Sequence, residues 1–131
     1  MKEQLVIIGA SGHGKVVADI ARKVGYTDIV FLDDNPAVSK CGEYRVIGNS
    51  SMINELDADF VVAIGNANIR KRFHDRLLKE KKNIVTLIHP NAVIGERVSI
   101  GRGTVIMAGV VINPDAEIGQ GCIINTGRVC R

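Results

Sequence analysis

The sequence predicts an α/β protein in two parts, a Rossmann-like N-terminal domain over residues 1–87 followed by a parallel β-solenoid over residues 88–131. Two observations carry most of this. Ile88, Ile94, Ile100, Ile106, Ile112, Ile118 and Ile124 stand six residues apart without a slip. That period fits neither a helix nor a simple strand, but it does fit a solenoid in which each hexapeptide makes one flat side and a turn. Ahead of it, two short apolar runs, Leu5–Ile8 and Ile29–Leu32, end in turn-forming stretches and flank a helically spaced segment, the pattern of a βαβ unit.

In order, residues 4–8 read as a buried parallel strand ending in the loop Gly9-Ala10-Ser11-Gly12-His13-Gly14-Lys15. From Lys15, the positions Val16, Val17, Ile20, Ala21 and Val24 recur at helical spacing, and Gly25 stops the helix. A second strand, Ile29–Leu32, ends in Asp33-Asp34-Asn35-Pro36. Tyr44–Ile47 reads as a short edge strand, and Ser50 or Ser51 as the cap of a short helix reaching Leu56. Phe60–Ile64 is a further buried strand ending at Gly65-Asn66. A helix from Ala67 to Lys82 then buries Ile69, Phe73, Leu77 and Leu78. Its cations Arg70, Lys71, Arg72, Arg76, Lys79, Lys81 and Lys82 face solvent, interrupted by Asp75 and Glu80. A last strand, Ile84–Leu87, runs straight into the solenoid without a linker, which predicts a rigid junction and a cleft between the two parts, where small ligands usually bind.

Four positions after each isoleucine stand Ala92, Val98, Thr104, Val110, Ala116 and Cys122, all small enough for a cramped inner corner, until Arg128 breaks the series. Cys122 therefore reads as a small buried hydrophobe. Cys41, Cys122 and Cys130 show neither an even count nor CxxC spacing, which argues against a disulfide framework and a metal site.

Bulk composition is that of an ordinary globular chain, with 46% hydrophobic residues and only 4% aromatics, as suits an Ile- and Val-packed solenoid. A formal net charge of +3 is too small to argue for nucleic acid. No stretch approaches the roughly 18 apolar residues of a membrane span, and the N-terminus enters a strand without a signal-peptide core. The expected compartment is the cytoplasm.

In an open parallel sheet the C-terminal strand ends gather at one edge, the usual ligand crevice. Gly12 and Gly14 let the backbone approach a phosphate, and the N-terminus of the following helix stabilises its charge. Asp33 or Asp34 can accept hydrogen bonds from a ribose or base, while Asn66 and Arg70 can orient or pair with a diphosphate. Gly9, Gly12 and Gly14 read GxxGxG, not the dinucleotide fingerprint GxGxxG, which disfavours a nicotinamide cofactor. The same glycines can instead serve only to make a tight strand-to-helix turn. His13 reads as a hydrogen-bonder to phosphate or backbone rather than a catalytic base.

The order VIIGASGHGKVVADIA, FLDD, VVAIGNANIRKR and LIHPNAVIG leading into hexapeptides closely resembles the bacterial sialic-acid O-acetyltransferases and UDP-4-amino-sugar N-acetyltransferases, over residues 4–127. The resemblance implies that the solenoid is a left-handed parallel β-helix. It further implies that the first domain binds a UDP-amino sugar or sialic acid and that acetyl-CoA is the co-substrate. Three subunits would assemble with active sites between neighbouring solenoids. The nucleotide-sugar contacts it implies are Ser11, Gly12, His13, Gly14, Asp33, Asp34, Asn66 and Arg70.

Acetyl transfer to an amine or hydroxyl needs a base near neutral pKa and donors for the developing oxyanion. The family places that base on a histidine shortly after Asn-Thr-Gly. Here Asn125-Thr126-Gly127 is followed by Arg128-Val129-Cys130-Arg131, so no residue matches it; His89, at the domain junction, reads as structural, and His74 lies on an ordinary helix. Little more than two coils are present, so the sequence reads as a C-terminally shortened member, with much of the acetyl-CoA site absent. The competing expectation is a non-catalytic nucleotide-sugar-binding or assembly module, or an inactive short form. Arg128 and Arg131 are expected to place charge on the exposed edge of the last coil.

Overall fold

The computed structural model describes residues 1–130, with side chains through Val129; Arg131, with its expected edge charge, lies outside the described residues. The N-terminal part is a six-stranded sheet. Its strands are β1 (Gln4–Ile8), β2 (Asp28–Leu32), β3 (Lys40–Cys41), β4 (Tyr44–Gly48), β5 (Asp59–Val62) and β6 (Asn83–Ile84), in the order β3-β4-β2-β1-β5-β6. All neighbours are parallel except β3 and β4.

Alternation along β1 explains why its apolar run is continuous. Leu5 and Ile7 face one core with Val17, Ile20 and Ala21 of helix α1 (Gly12–Lys23). Val6 and Ile8 face the other core, with Leu77 of helix α2 (Ala67–Lys79) and Ile53 of a 3₁₀ helix over Ser50–Glu55. Both faces of the sheet are covered, as a parallel sheet requires.

Several sequence expectations shift here. Helix α1 begins at Gly12 rather than Lys15, so Gly12, His13 and Gly14 belong to its first turn; Val16 and Val24 are exposed. The 3₁₀ helix is capped by Asn49, whose side chain accepts from the Ser51 N–H, and not by Ser50 or Ser51. Strand β4 is not an edge, because the hairpin partner β3 covers it. Helix α2 stops at Lys79, and Ile69 and Leu78 are exposed. Arg70, Arg76 and Lys82 are half-buried instead of facing outward; Lys82 Nζ donates to the Leu56 carbonyl at 2.9 Å. The expected strand 84–87 divides, Ile84 pairing in the sheet and β7 (Leu87–Ile88) starting the solenoid.

The solenoid continues through β8 (Val93–Ile94), β9 (Ser99–Ile100), β10 (Val105–Ile106), β11 (Val111–Ile112), β12 (Glu117–Ile118), β13 (Ile123–Ile124) and β14 (Val129–Cys130). Parallel pairing joins Leu87 to Val105 and Val105 to Ile123, a coil of three hexapeptides, and builds three flat sides, β7-β10-β13, β8-β11-β14 and β9-β12. All seven isoleucines stack inside with Ala92, Val98, Val110 and Ala116. Corners recur at the same period: Arg97, Gly103, Gly109, Asp115, Gly121 and Gly127 all have φ between 58° and 81°. Glycine occupies four of these left-handed positions at no steric cost. At the other two, Arg97 and Asp115 stack and pair, Nε to Oδ1 at 2.6 Å.

Thr104 does more than fill an inner corner. It is fully buried, its Oγ1 donates to the Gly119 carbonyl at 2.8 Å, and it accepts from the Cys122 N–H at 3.2 Å. One coil earlier, Thr86 Oγ1 donates to the Gly101 carbonyl at 3.1 Å. Cys122 itself is only half-buried, a correction to its reading as a buried hydrophobe. Leu87, Val105 and Met107 join the same core as α1, so the sheet and the first coils share apolar packing.

Candidate functional site

The C-terminal ends of β1, β2 and β5 open into a cleft of about 380 Å³. Its walls are Ile8, Gly9, Ser11, Leu32, Asp33, Asp34, Ser50, Ile64, Gly65, Ile69 and Phe73. Gly9 makes the turn out of β1 possible: its φ is +110°, and a Cβ there would lie 2.7 Å from the Ala63 carbonyl oxygen.

Of the eight residues nominated from sequence, Ser11, Asp33 and Asp34 line this cleft. Ser11 is the N-cap residue of α1 by backbone geometry, but its side chain makes no capping bond. Asp33 is held by the turn that follows β2, its Oδ2 accepting from the Ala10 N–H at 2.9 Å and its Oδ1 from the Asn35 N–H at 2.8 Å. Asp34 is exposed and accepts from Ser50, N–H to Oδ1 at 2.8 Å and Oγ to Oδ2 at 3.1 Å. Each of its oxygens keeps a lone pair for a ligand.

The other five are placed differently. Gly12 is exposed, with open space where a Cβ would project. Gly14 is buried, and a Cβ there would overlap the Gly9 carbonyl and the Phe31 ring, so its role is to let α1 close on the sheet. Asn66 caps α2, its Oδ1 accepting from the Ile69 N–H at 3.0 Å. Arg70 bridges the two parts of the chain. Its Nε donates to the Gly121 carbonyl at 2.8 Å, and its Nη1 donates to the Ile64 and Gly65 carbonyls at 2.9 and 3.0 Å. His13 is half-buried in the first turn of α1, with its Nε2 buried and without a partner. Burial, and secondarily the charge of Arg70, holds its pKa below the ordinary histidine value, so the ring is neutral at pH 7.

A second cavity, about 400 Å³, lies between α2 and the solenoid and is lined in part by Arg70, His74, Gln120, Gly121 and Cys122. His74 is buried there with its Nε2 3.1 Å from Gln120 Oε1, so it belongs to the junction and not to an ordinary solvent-facing helix surface. His89 Nδ1 accepts from the Asn91 N–H at 2.9 Å, which fixes the turn into the second hexapeptide. No group of three or more His, Cys, Asp or Glu with metal-holding geometry occurs among the described residues.

Sequence reasoning passed over Ser50, Ile64, Ile69 and Phe73. The apolar pair Ile69 and Phe73 stands one turn apart on α2, a spacing that by itself predicts core. Ile69 is 36% exposed where it lines the cleft, whereas Phe73 is half-buried, packing against the core beneath the sheet while also lining the cleft.

Residues 4–77, more than half the chain, match the PglD N-terminal domain. The chain belongs to that family. Residues 85–114 and 97–127 match the bacterial transferase hexapeptide repeat, and the chain is a hexapeptide-repeat protein with an N-terminal parallel-stranded domain. It is 39% identical over 112 residues to UDP-N-acetylbacillosamine N-acetyltransferase of Bacillus subtilis (strain 168), covering 81% of this chain and 52% of that protein. To GDP-perosamine N-acetyltransferase of Escherichia coli O157:H7 it is 32% identical, covering 87% and 55%. Among solved structures, the acetyltransferase domain of PglB from Neisseria gonorrhoeae in complex with acetyl coenzyme A superposes with a TM-score of 0.93 at 36% identity, covering 98% of this chain and 64% of that one. PerB from Caulobacter crescentus, in complex with CoA and GDP-perosamine, gives 0.89 at 37% identity, covering 97% and 62%. The chain thus spans about half the length of the curated relatives it matches.

Proposed function

We propose that this chain binds a nucleotide-activated amino sugar in the cleft above β1, β2 and β5, as part of an acetyl-CoA-dependent N-acetyltransferase. The observation that carries the reading is the cleft. A glycine turn and helix N-terminus at one end suit a diphosphate, and two adjacent carboxylates with free lone pairs suit a ribose and base, in a family whose relatives are named for acetylating nucleotide amino sugars. On this reading the N-terminal part is a Rossmann-like domain ending near residue 87. The solenoid from residue 88 is left-handed, and three chains associate through it. An amino sugar is favoured over a sialic acid because the relatives carry nucleotide amino sugars in their names.

The reaction joins the sugar nitrogen to the thioester carbonyl carbon and breaks the carbon–sulfur bond. The amine proton passes to a base, and coenzyme A leaves as its thiol. His74 and His89 are engaged at the junction and in a turn. His13 is neutral, but its unpartnered Nε2 is buried and the residue does not line the cleft. We assign no residue of this chain as the base.

Calorimetry with UDP- and GDP-amino sugars against NADH tests the reading: heat with the sugar nucleotides is expected, and binding of NADH alone would refute it. Thiol release from acetyl-CoA then separates an active transferase from a binding module.

A further inference from the structure

The cleft does not end at Asp34. A second depression of about 320 Å³ shares Asp34, Ile69 and Phe73 with it and is closed by Arg72 and Arg76. These two arginines stand one turn apart on α2, flanking Phe73 in sequence. Among the described residues neither guanidinium is paired: the five ion pairs use Lys2, Lys23, Lys71 and Arg97. An unpaired arginine fork beside an exposed carboxylate and a half-buried phenyl ring is a recognition surface for a flat polar heterocycle.

Charge sets the direction in which a nucleotide lies. A diphosphate beside Asp33 and Asp34 would be repelled, whereas the Ser11 end offers the first-turn N–H groups and the dipole of α1, the Gly9 and Ala10 N–H groups being taken by the Leu32 carbonyl and Asp33. The phosphates therefore occupy that end, and the base extends past Asp34 onto Phe73 and Ile69. We infer that Asp34, Arg72 and Arg76 together read the base, selecting a keto base, uracil or guanine, over an amino base, cytosine or adenine. The inference rests on the nucleotide-sugar reading given above.

The chemistry is complementary hydrogen bonding. Uracil presents the O4 acceptor beside the N3–H donor, and guanine presents O6 beside N1–H. Guanidinium groups donate only, and a carboxylate accepts only, so Arg72 or Arg76 meets the carbonyl while Asp34 meets the N–H. Cytosine and adenine reverse both positions, placing an amino donor against the guanidinium and a lone pair against the carboxylate, so both contacts become repulsive.

The test is titration of the 131-residue chain with UDP, GDP, CDP and ADP, which differ only in the base. UDP and GDP are expected to bind at least about tenfold more tightly than CDP and ADP, the discrimination of one good paired contact. The R72A/R76A double variant should shrink that ratio to within about twofold, chiefly by weakening UDP and GDP. Equal binding of all four by the unaltered chain overturns the base reading alone. A double variant that weakens all four alike also overturns it and assigns the arginines to phosphate. If none of the four binds, the nucleotide-sugar reading fails and this inference with it.

Discussion

Replacing Thr104 by valine keeps the side chain's shape and removes only its hydroxyl, which makes it a sharp test of what holds the coils in register. The hydroxyl sits fully buried between two coils, donating to the Gly119 carbonyl and accepting from the Cys122 N–H. In the valine variant both backbone groups lose that partner, at about 1–3 kcal/mol for each group left unsatisfied. The added methyl returns about 0.8 kcal/mol of burial. The net loss is about 1–5 kcal/mol, which for a chain of this size lowers the melting temperature by about 4–20 °C. Thr104→Ser does the opposite, keeping the hydroxyl and losing a methyl, for about 1 kcal/mol. Thermal unfolding followed by far-UV circular dichroism compares the three chains. Serine should be tolerated better than valine. If valine is equal or better, Thr104 is a volume filler and the hydroxyl ladder contributes nothing.

Gly14→Ala should destabilise the fold by about 2 kcal/mol or more, because its Cβ meets the Gly9 carbonyl and Phe31 ring, whereas Gly12→Ala enters open space and should leave the melt unchanged. Chemical denaturation of the two variants separates a packing glycine from one that a ligand can approach. Arg70→Met removes three bonds to backbone carbonyls, one of them to the solenoid; a melting drop of several degrees is expected, with proteolysis near residue 85 accelerated as the junction loosens. His13 is held below its ordinary pKa in the folded chain, so below about pH 6.5 the unfolded state takes up a proton that the folded state resists. Stability should therefore fall as pH drops through that range, and His13→Asn should flatten the slope measured by melting between pH 5 and pH 7.

The solenoid was legible almost residue by residue, because period six has no competing explanation and every isoleucine reports the same inward direction. Helix α2 was harder. Periodicity sorts its residues into apolar and polar stripes, but three surfaces surround it: the sheet takes Leu77 and shares Phe73 with the cleft, the cleft takes Ile69, and the solenoid takes Arg70 and His74. Nothing local says that a stripe of arginine and histidine one turn apart meets a coil some 50 residues later. The glycine loop shows the same limit. Its motif points to the ligand edge, yet Gly14 turns toward Phe31 and Cys41, which only the folded sheet reveals. Asp33 and Asp34 were found because turn chemistry and strand ends are local signals, and both line the cleft.

The most direct measurement is calorimetric titration of a UDP-amino sugar into the unaltered chain and into Gly65→Leu. Gly65 lines the cleft, has open space where a Cβ would project, and has no left-handed backbone, so leucine there fills the cleft without straining the fold. The expected result is one nucleotide sugar bound per unaltered chain and none per variant, with both melting alike. Equal binding by the two chains would place the nucleotide sugar elsewhere and contradict the account.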